Sequence, residues 1–87
     1  MNNPESIPNG KIFTPGDVGR NVRACRAEQG ITQAELASLC GVGVRFVSEL
    51  ENGKSTAELG KVLQVLKCLG LELSVRRRGW GAPADNS

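Results

Sequence analysis

The chain has 87 residues, 39% of them apolar and 3% aromatic, and a net charge of +2. That is room for one small domain, which buries only about 60% of the surface its unfolded chain exposes, and no apolar run approaches the roughly 20 residues needed to cross a bilayer. The modest charge gives no whole-chain signature of a polyanion binder. With no histidine present, Cys25, Cys40 and Cys68 form no metal site and read as three reduced core thiols.

Residues 1–12 hold two prolines, three asparagines and Gly10, and read as a flexible arm. They lack the apolar stretch of a secretory signal, which places the chain in the cytoplasm. Thr14-Pro15-Gly16-Asp17 then supplies an N-cap, a proline at the first helical position and an acid at the third. The pattern predicts a helix to about Gln29, with Val18, Val22 and Cys25 inward and Arg20 and Arg23 outward.

Thr32 is followed three residues later by Glu35, so each side chain can satisfy a free backbone donor of the other in a capping box. A short helix follows from about Gln33, with Leu36, Ala37 and Cys40 inward and Gly41 as its stop. After Val42 and Gly43 a second helical pattern turns Val44, Val47 and Leu50 inward and ends at Asn52-Gly53. Two short helices joined by a three- or four-residue turn containing glycine make a helix-turn-helix unit, although spacing alone fits any αα-hairpin. Such a turn leaves the second helix protruding far enough to enter a major groove about 12 Å wide.

The charges of residues 30–53 are Glu35, Arg45, Glu49 and Glu51, net acidic. The bases cluster elsewhere, at Arg20, Arg23 and Arg26, at Lys54, Lys61 and Lys67, and at Arg76, Arg77 and Arg78. A phosphate role falls to those bordering the protruding helix, Lys54 first among them.

Ser55-Thr56-Ala57-Glu58 offers a third capping signature, for a helix carrying Leu59, Val62, Leu63, Val65, Leu66, Cys68 and Leu69. That is too much apolar surface for one face. A stripe of Leu59, Val62, Leu66 and Leu69 packs on the helix-turn-helix, and Leu63 and Val65 are left toward a second copy. Gly70 ends the helix. The run Leu71-Glu72-Leu73-Ser74-Val75-Arg76 alternates with the period of a half-buried strand. One strand cannot satisfy its own backbone, and in an otherwise helical chain its natural partner is the same strand of another subunit. A homodimer follows, contacting through Leu63, Val65, Leu71, Leu73 and Val75.

The chain thus divides into an arm (1–12), a helix-turn-helix and dimerisation domain (13–76), which would be the DNA-binding part, and a flexible tail (77–87). Its class is all-α, four to five helices with one short C-terminal β-strand pairing across the dimer. Trp80 in the tail either folds back onto the domain or anchors a partner protein. No catalytic constellation is present: there is no histidine, no phosphate-cradling glycine loop and no paired carboxylates on one helix face. The chain reads as a non-enzyme without a cofactor.

Gly30-Ile31-Thr32-Gln33 with Leu36-Ala37, and then Leu50-Glu51-Asn52-Gly53-Lys54, resembles the signature of the lambda-repressor and Cro-like (XRE) family. Within that family the short length, the Ile12-Phe13-Thr14-Pro15 start, the segment from Gly41 to Glu51 and the closing Leu-Gly-Leu-Glu-Leu-Ser-Val run are similar to HipB-like antitoxins. The resemblance covers about residues 12–76. It implies a homodimer that binds an inverted-repeat operator in double-stranded DNA upstream of its own operon and docks a HipA-like Ser/Thr kinase toxin. It also implies residue roles. Gln33 fixes register on phosphate with backbone donors near Thr32, and Gly43, Val44, Arg45, Ser48 and Glu49 face the groove. Arg45 is the foremost base reader, because a guanidinium bonds O6 and N7 of guanine together. Arg26 and Glu51 form a structural ion pair. Where relatives often carry Gln or Lys, Gly43 and Val44 can only touch a thymine methyl or sugar, so base readout is sparse. Two other functions fit the residues: a stand-alone repressor of a mobile element, and a protein-docking module that never meets DNA.

Overall fold

The structure, a computed structural model, describes residues 11–77. Four helices are present in this span: α1 (Pro15–Gln29), α2 (Gln33–Cys40), α3 (Val44–Glu51) and α4 (Leu59–Cys68). The described chain is all-α.

Local chemistry sets the first two helix starts. The Thr14 hydroxyl accepts from the Asp17 backbone N–H at 3.1 Å, and the Asp17 carboxylate accepts from Thr14 N at 2.9 Å and Phe13 N at 2.8 Å. Thr32 and Glu35 repeat the exchange at 3.0 and 2.8 Å. Each box satisfies first-turn donors that have no partner inside the helix. The backbone N–H bonds made to Asp17, that of Phe13 foremost, hold its carboxyl below the usual range. Gly41 closes α2 in the left-handed region (φ 74°), a conformation that strains any side chain, and from there the chain turns sharply into α3.

The third capping signature is not used. α4 starts at Leu59 behind Glu58, which makes no side-chain cap bond. The reason lies upstream: Gly53 N bonds Leu50 O and Lys54 N bonds Glu49 O, both at 3.0 Å, so the segment carrying Ser55 and Thr56 is still turning away from α3.

The core joins Val22 and Cys25 of α1, Leu36, Ala37 and Cys40 of α2, Val47 and Leu50 of α3, and Val62, Val65, Leu66 and Leu69 of α4 and its end. The stripe on α4 therefore runs i, i+3, i+4, i+7 from Val62. Val65, expected on the outward face with Leu63, is 0% exposed, and Leu59, expected inside, is 63% exposed. Leu63 does face solvent.

Cys25 and Cys40 are buried thiols, whereas Cys68, read from sequence as a core thiol, is exposed. Burial pushes the Cys40 thiol up to about 12, helped by the neighbouring Cys68 thiol. Gln64 Nε2 donates to Cys40 O at 2.5 Å, and Cys68 Sγ contacts Leu39 O at 3.8 Å, so the end of α2 is tied to the face of α4.

No strand occurs among the described residues. Leu71 is held to the domain, its N–H bonding Leu66 O at 2.8 Å and its side chain half-buried, while Leu73 and Val75 stand exposed. A single chain offers residues 71–76 no second backbone to pair with. Trp80 and most of the expected arm, residues 1–10, lie outside the described residues. No helix among the described residues is long and apolar enough to cross a membrane.

Candidate nucleic-acid interface

α3 is amphipathic, burying Val47 and Leu50 and turning Val44, Arg45, Ser48 and Glu49 to its other side. Positions 44, 45, 48 and 49 share one face at helical spacing. Val44, which the hydrophobic pattern also turned inward, is 50% exposed at the first helical position. Gly43 is the exposed N-cap of the helix and contributes no side-chain bond there. Phe46 packs half-buried at the edge of the core, with the Lys61 ammonium 5.9 Å from its ring centroid.

Two things seat this helix. At its C-terminal end Glu51 is buried and meets Arg26 of α1 in a forked pair, Nε to Oε2 at 2.6 Å and Nη2 to Oε1 at 3.0 Å. The Arg26 fork is completed by Ile31 O at 2.9 Å, and Glu51 Oε1 also accepts from Gln33 Nε2 of α2 at 2.9 Å. One carboxylate thus ties α1, α2 and α3 together through charge-assisted bonds. Burial alone would raise the Glu51 pKa, and the bonds from Arg26 and Gln33 override it and hold the carboxyl below the usual range. The same carboxylate raises the Arg26 guanidinium.

The second is Gly19 in the middle of α1, a residue that motif reading passes over. A Cβ at this position would lie 2.3 Å from Leu50 O and 2.8 Å from Glu51 O. Only hydrogen at that position lets α1 lie flush on the last turn of α3. A glycine inside a well-capped helix, where it costs about 1 kcal/mol against alanine, was the available signal.

The exposed side of α3 carries a second charged group. Glu49 Oε2 takes Arg45 Nε at 3.3 Å, and Glu49 Oε1 takes Lys54 Nζ at 3.1 Å. The hydrogen bond from Lys54 is the main cause holding the Glu49 carboxyl below the usual range. The Arg45 side chain is 88% exposed, free to swing to a new acceptor.

Thr32 and Gln33 stand at the N-terminus of α2. The Thr32 hydroxyl accepts from Glu35 N and keeps its own hydrogen to donate. Gln33 uses one amide hydrogen on Glu51 and keeps the second. Lys54 joins the α3 face through Glu49. The structure does not bring the residues assigned to dimer contact together with this surface: Leu63 is on α4, and Leu71, Leu73 and Val75 follow it. Among the described residues no group of His, Cys, Asp or Glu is placed to hold a metal ion.

The helix-turn-helix family model HTH_3 matches residues 22–75. An uncharacterized HTH-type transcriptional regulator of Sinorhizobium fredii, y4mF, is 51% identical over 69 residues, 79% of this chain and 91% of that protein. Antitoxin HipB of Escherichia coli K12 is 28% identical over 65 residues, 75% of this chain and 74% of that protein. Among solved structures, a chain of the HipA-HipB-O2-O3 complex superposes with a TM-score of 0.72 at 26% identity, covering 78% of this chain and 96% of that one. The chain belongs to the XRE-type helix-turn-helix transcriptional regulators, and is HipB-like in sequence and fold.

Proposed function

We propose that the protein is a sequence-specific DNA-binding antitoxin and autorepressor, a homodimer that binds an inverted repeat before its own operon and restrains a HipA-like Ser/Thr kinase toxin. The observation that carries the DNA half is the exposure of Arg45 on a helix whose other face is fixed by the buried Arg26–Glu51 pair. A rigid helix with a mobile guanidinium at its outer surface suits a guanine edge in the major groove. Val44 and Ser48 flank it, Lys54 reaches phosphate, and the spare hydrogens of Thr32 and Gln33 and the α3 N-terminus at Gly43 supply phosphate donors. Likeness to HipB supports the antitoxin half. The dimer contact runs through Leu63, Leu71, Leu73 and Val75, with residues 71–76 pairing across the axis; Val65 drops out because its own core encloses it.

A stand-alone regulator is the second reading, favoured by the name of the 51% identical relative, a transcriptional regulator. Co-purification with the product of the neighbouring reading frame separates the two.

The DNA reading is tested by fluorescence anisotropy of a duplex from just upstream of the gene against a scrambled duplex, at two salt concentrations. A preference of at least about a hundredfold that persists at the higher salt is expected. Weak, equal binding that collapses with salt marks counterion release alone and leaves a protein-docking role. Arg45→Ala reduces discrimination at one base position by about 1 to 3 kcal/mol, and unchanged specificity in that variant removes Arg45 as the base reader.

A further inference from the structure

We infer that Glu49 is a specificity-determining residue that works by exclusion: it holds Arg45 and Lys54 in the unbound protein, and once they turn to DNA its carboxylate gains a new partner only where a base amino group, a cytosine N4, lies about two base-pair steps from the guanine taken by Arg45. This rests on the DNA-binding reading above and adds to it the way non-specific DNA is rejected.

Glu49 has no structural duty comparable to that of its neighbour. Glu51, two residues on, is buried in a forked pair, whereas the Glu49 side chain is 35% exposed and bonds only side chains that are themselves exposed. Its two oxygens are nonetheless both engaged, each by a different cation. The loop after α3 brings the second one in, since Lys54 N also bonds Glu49 O at 3.0 Å.

The two kinds of DNA contact then differ. Against phosphates alone, Arg45 and Lys54 merely exchange one anion for another, and Glu49 is left facing negative charge with no donor but water, because an ionised carboxylate only accepts and so does a phosphodiester. In the major groove the bases supply donors, and the cytosine amino group is the one a carboxylate takes. Arg45 and Glu49 are one helical turn apart, an axial rise of about 6 Å, or roughly two base-pair steps at 3.4 Å each. A guanine and a cytosine at that separation satisfy both side chains.

The experiment uses the full chain and its Glu49→Ala variant, each titrated by anisotropy against the upstream duplex and the scrambled duplex over a series of salt concentrations, with circular dichroism to confirm the helices. The variant is expected to bind the scrambled duplex about tenfold more tightly at low salt, with a log–log salt slope steeper by about one. The upstream duplex gains less or loses, so the ratio of the two affinities falls about tenfold or more. Glu49→Gln keeps the shape and accepts adenine in place of cytosine; on duplexes substituted one base pair at a time, it moves the preferred base at one position from cytosine to adenine. Equal gains on both duplexes would show a bulk charge effect and overturn the inference, as would an unchanged ratio. A parent chain that does not distinguish the two duplexes sinks the DNA reading itself, and this inference with it.

Discussion

Glu49 and Glu51 lie two residues apart on one helix of eight residues, and both hold arginine, yet they do opposite things. Glu51 faces inward, with a side chain 3% exposed, and its partners come from α1 and α2. Glu49 faces outward, and its partners belong to its own helix and the loop that follows. An ion pair buried with all its hydrogen bonds made is a structural commitment, because removing one partner strands the other charge away from water. An exposed pair in high dielectric contributes little to stability and can be exchanged for another anion at little cost. One helix thus carries the charge that fixes its position and the charge that leaves its exposed side adjustable.

The largest effect that would sharpen this contrast is expected from Glu51→Ala. It leaves the Arg26 guanidinium with only Ile31 O and frees Gln33, and should cost about 3 kcal/mol or more. In a domain of this size that corresponds to a fall in Tm of roughly 12 °C or more. A loss below about 1 kcal/mol in chemical denaturation would place Glu51 in the same class as Glu49.

Gly19→Ala attacks the same corner from the α1 side. The added Cβ meets backbone carbonyls of Leu50 and Glu51, which cannot rotate away, so α1 must lift off the end of α3. About 2 kcal/mol of destabilisation is expected, within the range seen for overpacked interiors. A neutral outcome would mean that the Arg26–Glu51 fork survives a shift of α1.

Acid provides a smaller and more selective probe. The Glu51 carboxyl is depressed in the folded state, so its contribution is complete above the unfolded glutamate value of about 4.3 and is lost as pH falls through the lower folded value. Stability measured from pH 7 downward should therefore hold to roughly pH 5 and then decline. Glu51→Gln flattens that decline. Glu49→Gln leaves it nearly as in the parent, although Glu49 is also depressed, because solvent screens an exposed pair. Equal flattening by both substitutions would contradict the division between them.

How much of this was legible in the sequence depends on the range of the interaction. Thr14 with Asp17, and Thr32 with Glu35, gave correct helix starts because a capping box is closed within four residues. Ser55 and Thr56 show the same chemistry but do not cap, because hydrogen bonds back to Glu49 and Leu50 decide how the chain leaves α3. On α4 the patterns starting from Leu59 and from Val62 share Val62, Leu66 and Leu69, and differ only over Leu59 and Val65. Periodicity has no means of choosing between those two, and packing against α2 settles it. The exposed side of α3 was visible, Val44 apart, as the positions left over by Val47 and Leu50. That Glu49 bonds Arg45 and Lys54 at once was not, since it depends on where the loop after Gly53 brings the lysine.

The smallest expected effect bears most directly on function. Glu49→Ala removes two exposed ion pairs and places the best helix former at an outward position. Its urea denaturation midpoint should be close to the parent's, with an unchanged m-value. This near-silence makes the variant informative on DNA, since any change in the ratio of specific to scrambled binding then comes from the interface and not from a loosened helix. A clearly lowered midpoint would mean that Glu49 helps to seat α3 after all, and the outward charge group would have to be regrouped with the inward one.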